Sequence, residues 1–263
     1  MTLNLAPFGR WTLRDKTAQR RLALRSAGED IDMDVPWQYD EATQVGTDYG
    51  DQNEVRSYDE RMQKLRNTEA EAKDIERALS LTPESTVWEI GTGTGQCAIA
   101  LSGAVKHVYA TDVSLAMLEY ARNEARRRGI TNVTFAEGGF LSGFRPAHQV
   151  DGIISQLALH HLPDFWKSRA VVSVANSLRS GARLYLRDVV FPSTTSDYDA
   201  LFQAVIEGVQ AHAGEEVAQK TVQHIKTEFS TLDWILEGMI TRSGMRIIEK
   251  DDKGFISVYV CEK

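Results

Sequence analysis

Between Ser57 and Leu81 apolar residues return at helical spacing. Ala72, Ile75 and Leu79 fall at i, i+3 and i+7 with charges between them, and Thr82-Pro83 ends the pattern. Beyond it the period changes. Short apolar runs at Val87–Ile90, Val105–Ala110, Val133–Ala136, Asp151–Ser155 and Arg183–Val189 read as strands. Helical stretches at Gln96–Ser102, Ser114–Arg128 and Phe165–Ser177 separate them, the second closed by Gly129 and the third near Ser180-Gly181. This alternation predicts an α/β fold, a doubly wound and mostly parallel sheet of about seven strands with helices on both faces. Residues 192–228 interrupt it with a helical pattern, an insertion placed where lids form. A helix at Thr231–Ser243 follows, then runs at Met245–Lys250 and Phe255–Cys261. The turn Asp251-Asp252-Lys253-Gly254 joins those two runs, which predicts a C-terminal antiparallel hairpin.

Right-handed crossovers put a ligand at the carboxyl edge of such a sheet, among the ends of the first, second, fourth and fifth strands. The first strand ends there in Val87-Trp88-Glu89-Ile90-Gly91-Thr92-Gly93-Thr94-Gly95-Gln96. A carboxylate and three alternate glycines before a helix form a tight turn that offers backbone N–H groups to a nucleotide-like ligand. The dinucleotide fingerprint G-x-G-x-x-G needs its third glycine one residue later, where this chain has Gln96. Asp112 ends the second strand about 20 residues past the first glycine, where an acidic residue meets ribose hydroxyls. The alternative for Asp112 is a helix cap, a role Ser114 can also take.

The G-x-G-x-G loop preceded by Glu89 resembles motif I of class I S-adenosylmethionine (SAM)-dependent methyltransferases. The resemblance covers roughly residues 50–190 and is similar to the ubiquinone and menaquinone C-methyltransferase-like branch of small-molecule enzymes. It implies a Rossmann-like fold with an N-terminal helical cap, SAM as cofactor and S-adenosylhomocysteine as product. Gly91, Thr92 and Gly93 then approach the aminoacyl end and ribose, and Glu89 orients the loop. Asp112 and Val113 flank the ribose, and Met117 lies near the adenine or in the core. After the third strand the family often has an Asp for the adenine amino group. This chain has Gly139 there, leaving backbone groups of Gly139 and Phe140 for the contact. Ser155 and Leu157, ahead of the pair His160-His161, pass beside the methionine portion. Tyr49 and Tyr58 lie in the segment expected to fold over the cofactor.

Methyl transfer from a sulfonium is an in-line displacement, so the protein mainly supplies position and a dry site. A base is needed only where the acceptor must lose a proton. Asp188, near the end of the fifth strand, and His160 are the candidate catalytic groups. The alternatives are an ion pair for Asp188 with Arg187 or another cation, and a loop-orienting hydrogen bond for His160. His212 and His224 fall in the insertion.

Composition sets the remaining bounds. The chain has 263 residues, 42% hydrophobic and 25% charged, enough for a full core. It divides into an arm and cap segment, 1–56, and a SAM-binding domain, 57–263, with the insertion at 192–228. The net charge of −7 argues against nucleic acid as the partner; a small-molecule acceptor is what the resemblance implies. Cys97 and Cys261 form no metal spacing, adjacent histidines rarely share one ion, and no metal is expected. A reducing, cytoplasmic setting is expected, since no transmembrane run or secretory signal is visible. Two other readings stay open: a SAM-binding regulator without turnover, and a nicotinamide-dependent oxidoreductase.

Overall fold

The computed structural model describes residues 37–43, 55, 67–252 and 254–263. The compact unit that carries the sheet runs from Tyr39 to Lys263. Most of the expected N-terminal arm and cap, the first part of the 57–81 helix, Tyr49 and Tyr58 lie outside the described residues.

Helix α1 (Thr68–Leu79) opens on Asn67, whose side chain accepts from the Ala70 amide at 3.0 Å, and buries the expected stripe of Ala72, Ile75 and Leu79. There follow β1 (Thr86–Ile90), α2 (Gln96–Leu101), β2 (His107–Asp112), α3 (Leu115–Arg127), β3 (Val133–Glu137) and β4 (Val150–Gln156). A 3₁₀ turn (Leu159–His161) leads into α4 (Asp164–Ser177) and the long β5 (Leu178–Phe191). The insertion forms α5 (Tyr198–Ala213) and α6 (Glu215–Thr227). The chain then makes β6 (Thr231–Leu232), α7 (Asp233–Arg242), β7 (Arg246–Asp252) and β8 (Ile256–Glu262).

The sheet order is β3-β2-β1-β4-β5-β8-β7, with β6 pairing β5 off that path. Strands β1 to β5 are parallel; β8 runs antiparallel to both β5 and β7. Strand β1 lies at the centre and is buried on both faces. Val87 joins Ile75, Leu79 and Ile154 in one core, and Trp88 joins Leu159, Val171 and Tyr259 in the other. The Trp88 indole N–H donates to Thr111 Oγ1 at 3.0 Å, and that hydroxyl donates to the Glu89 carbonyl at 3.1 Å. One indole thus fills a core and locks β1 to β2.

Three boundaries differ from the expectation for one reason, strand pairing. β2 runs on to Asp112 because its register against β1 continues through Ile90–Thr111. β5 begins at Leu178, and the expected turn at Ser180-Gly181 is absorbed where the register shifts between the Val150–Leu178 and Gly152–Arg183 pairs. Thr231-Leu232, expected to be helical, instead pairs with Val190-Phe191, so the helix starts at Asp233.

Trp88→Ala should destabilise the fold by about 3–5 kcal/mol in denaturant unfolding, because it opens a cavity and orphans Thr111. Trp234→Ala, at a side chain 60% exposed, should shift stability by less than about 0.5 kcal/mol.

Candidate active site

At the end of β1 the Gly91 and Thr92 amides both donate to the Thr111 carbonyl of β2, at 2.8 and 2.9 Å. The chain therefore turns sharply over β2. Gly91 has φ +77°, and a Cβ there would lie 2.4 Å from the Ala158 side chain. The turn brings the Gly93 amide to Asp112, whose Oδ2 accepts from it at 2.8 Å while Oδ1 accepts from the Ser114 amide at 2.8 Å. The cap of α3 is Ser114, whose hydroxyl accepts from Met117 at 3.2 Å. Asp112 is thus oriented by backbone amides and not consumed as a cap. Burial raises its pKa, against the lowering pull of the Ser114, Gly93 and Val113 amides.

These ends open onto a solvent-open cleft. Eight of the residues singled out from the sequence line it: Gly91, Gly93, Asp112, Val113, Met117, Gly139, Phe140 and Leu157. Leu157 holds a left-handed backbone, φ +54°, with its amide on the Arg187 carbonyl at 2.7 Å. Three more lie just behind the wall. Glu89 is buried and accepts the Thr92 hydroxyl at 2.7 Å, and Ser155 is fully buried in β4. These side chains shape the turn and strand from inside.

His160 and Asp188 do not line the cleft. Their side chains are 4% and 3% exposed and are turned on each other: His160 Nδ1 meets Asp188 Oδ1, and the His160 amide donates to Oδ2 at 3.1 Å. On its far side, His160 Nε2 lies 3.1 Å from Glu228 Oε2, just past α6. Burial alone would lower the His160 pKa, but Asp188 and Glu228 lift it to about 9. Burial likewise opposes ionisation of Glu228, yet the contacts with His160 and His224 hold it at about 2. Asp188 is lowered by His160 despite its burial. The end of β5 therefore stays out of the cleft, and the loop after β3 takes its place. The cleft's own imidazole is His161, pushed down to about 4 by burial and then by the charge of His160.

Sequence reasoning missed Glu41. Its carboxylate accepts from the amides of Phe140 (2.8 Å), Leu141 (2.9 and 3.0 Å) and Ser142 (2.6 Å), and from the Ser142 hydroxyl. An ideal Cβ on Gly139 would sit 2.5 Å from that carboxylate, so Glu41 fills the space a side chain at 139 would need. Arg145 completes the loop from below. It donates to the carbonyls of Gly139, Phe140, Ser142 and Phe144 at 2.7–2.9 Å and lies 5.2 Å from the Trp88 ring centroid. Only the glycine at 139 hinted at this arrangement; a partner 98 positions away leaves no local signal. Thr43, Gln156 and Ala158 also line the cleft.

Residues 87–181 match the family model described as a methyltransferase domain. These residues form a methyltransferase domain. An uncharacterized methyltransferase of Bacillus pumilus is 31% identical over 151 residues, 57% of this chain and 66% of that one. Another, from a Geobacillus species, is 28% identical over 78% of this chain and 88% of its own length. A SAM-dependent methyltransferase from Clostridium acetobutylicum shares the fold with TM-score 0.59 at 13% identity, over 80% of this chain and 97% of that one. DhpI, solved with S-adenosylhomocysteine, has TM-score 0.55 at 20% identity, over 80% and 92%. No helix among the described residues of this chain is long and apolar enough to cross a membrane.

Asp188→Ala should cost about 3–5 kcal/mol in urea unfolding, since it removes one partner of a buried, charged network. Asp188→Asn, which keeps an acceptor, should cost less in the same assay.

Proposed function

We propose that this methyltransferase acts on a small-molecule acceptor, and that the cleft at the carboxyl edge holds SAM against Asp112. The observation that carries this reading is the carboxylate of Asp112, held at both oxygens by backbone amides beside an open glycine turn. A Cβ on Gly93 would meet nothing within 4 Å, so the turn leaves room beside that carboxylate. The cleft also sets a few polar groups on a mostly apolar wall, the pattern of small-molecule sites.

In this reading Asp112 accepts from the two ribose hydroxyls, and Gly91 and Gly93 allow the backbone to approach the cofactor closely. Met117 and Phe140 contact the adenine faces. Glu41 supplies the acceptor for the adenine amino group, in place of the side chain that Gly139 lacks. Bound SAM supplies an activated methyl group. Leu157, Ala158 and Leu162 exclude water beside it, which favours a displacement between an uncharged or anionic acceptor and a sulfonium. His160 and Asp188 take a positioning role: their bonds to each other, and the Phe229 amide on the His160 carbonyl, fix the turn that presents His161 to the cleft.

Calorimetric titration with S-adenosylhomocysteine tests the cofactor site. The wild type should bind it and not NAD, and Asp112→Ala should weaken binding by about 10–100-fold, the loss of charge-assisted hydrogen bonds. Binding unchanged in the variant would remove Asp112 from the site.

The Glu41 assignment has its own readout. The wild type should prefer S-adenosylhomocysteine over its inosine analogue, whose 6-oxo group would face a carboxylate, by at least about 10-fold. In Glu41→Ala that preference should collapse toward unity. If both ligands weaken equally, Glu41 only shapes the loop.

A further inference from the structure

His160 and His161 on the 3₁₀ turn and Glu228 just past α6 each place a ligand atom within 4.8 Å of the others. We propose that this cluster is a divalent transition-metal site of the zinc class, with His160 Nε2, an imidazole nitrogen of His161 and the Glu228 carboxylate as ligands. The sequence shows the pair His160-His161 but not the third ligand, and on that ground no metal was expected, because Glu228 arrives from 67 positions beyond His161 only once the insertion has folded back.

Four features of the geometry point to an ion. Glu228 Oε2 and His160 Nε2 are 3.1 Å apart. Two ligands at about 2.0–2.2 Å on a tetrahedral ion are separated by roughly 3.3 Å, so the spacing suits a shared metal. Oε2 is buried, and despite that proximity it accepts no aligned hydrogen bond from the described residues. The nitrogen and oxygen therefore lie side by side, as ligands do, and not head to tail as donor and acceptor do. Thirdly, His160 Nδ1 is backed by Asp188, the carboxylate–histidine arrangement that fixes the tautomer and frees Nε2 for a metal.

Charge is the fourth feature. Asp188 and Glu228 bring two negative charges into a pocket where their side chains are 3% and 5% exposed. Neutral imidazoles and one dication would cancel them. Mixed imidazole and carboxylate ligands suit zinc, cobalt, nickel or manganese better than magnesium or calcium, which take oxygen. Two histidines and a glutamate are also the three-ligand set that leaves a fourth position for water. The ion would join three parts of the chain: the cleft wall through His161, β5 through Asp188, and the insertion through Glu228. His224, whose Nδ1 touches the same Glu228 oxygen, orients that carboxylate from the last turn of α6.

The test uses the full chain, stripped with chelator and titrated with Co²⁺, read by visible d–d absorption and by thermal unfolding. One equivalent should bind, raise Tm and be displaced by Zn²⁺. His161→Ala and Glu228→Gln should each weaken binding by at least about 10-fold, and Asp188→Asn by about 10–100-fold. Far-UV circular dichroism identifies any variant that fails to fold, and the wild-type titration stands without the variants. Wild-type protein that takes up neither Co²⁺ nor Zn²⁺ at 100-fold excess (about 1 mM) overturns the proposal and leaves a proton on His160 as the positive charge. Metal uptake that survives all three substitutions places the ion elsewhere and overturns it as well.

Discussion

The cleft depends on one carbonyl. Thr111 of β2 accepts the amides of both Gly91 and Thr92, so the chain leaving β1 must fold over β2 instead of running on. That turn delivers Gly93 to Asp112 and starts α2 on a glycine. The same residue's hydroxyl takes the Trp88 indole and reaches the Glu89 carbonyl. Backbone and side chain of Thr111 thus tie the turn, the central strand and the larger core into one unit. Hydrogen bonds worth about 0.5–1.5 kcal/mol each matter here because they are buried and mutually dependent.

The loop after β3 is built on a different principle. Its own backbone bonds are few, among them the Gly139 amide on the Ser142 carbonyl at 3.1 Å and an isolated bridge between Gly138 and Gly143. Glu41 accepts from three successive amides and Arg145 donates to four carbonyls, one group on each side. A segment from the N-terminal side is therefore part of the cleft wall. Its carboxylate occupies the space that Gly139 leaves open, which is why a glycine can stand there without leaving a void.

The insertion acts through its last turn. Helices α5 and α6 pack on each other, and no described residue of either lines the cleft. Contact is made just beyond them. Glu228 meets His160, the Phe229 amide donates to the His160 carbonyl at 3.0 Å, and buried Lys167 bonds the Phe229 carbonyl. The turn that carries His161 is thus held from β5 on one side and from the insertion on the other. Movement of α6 would be felt at the cleft through that turn.

The parallel sheet, its helices and the hairpin were legible because apolar period and turn residues are local signals, and β1 to β4 pair in the order that right-handed crossovers require. The glycine turn and Asp112 were legible for the same reason: a tight turn and a strand-end carboxylate leave marks within about 20 residues of one another. Boundaries at Asp112, Leu178 and Thr231 were not, since strand pairing with distant segments set them. Nor could the sequence say that Asp188 turns from the cleft toward His160, or that Glu41 and Glu228 arrive where they do. Those placements join residues 28 to about 100 positions apart. By itself the sequence determined the fold and where its glycine turn lies, through local geometry. Only the tertiary structure decided which charges face the cleft and which neutralise one another inside the wall, because a buried charge takes whatever partner folding brings within reach.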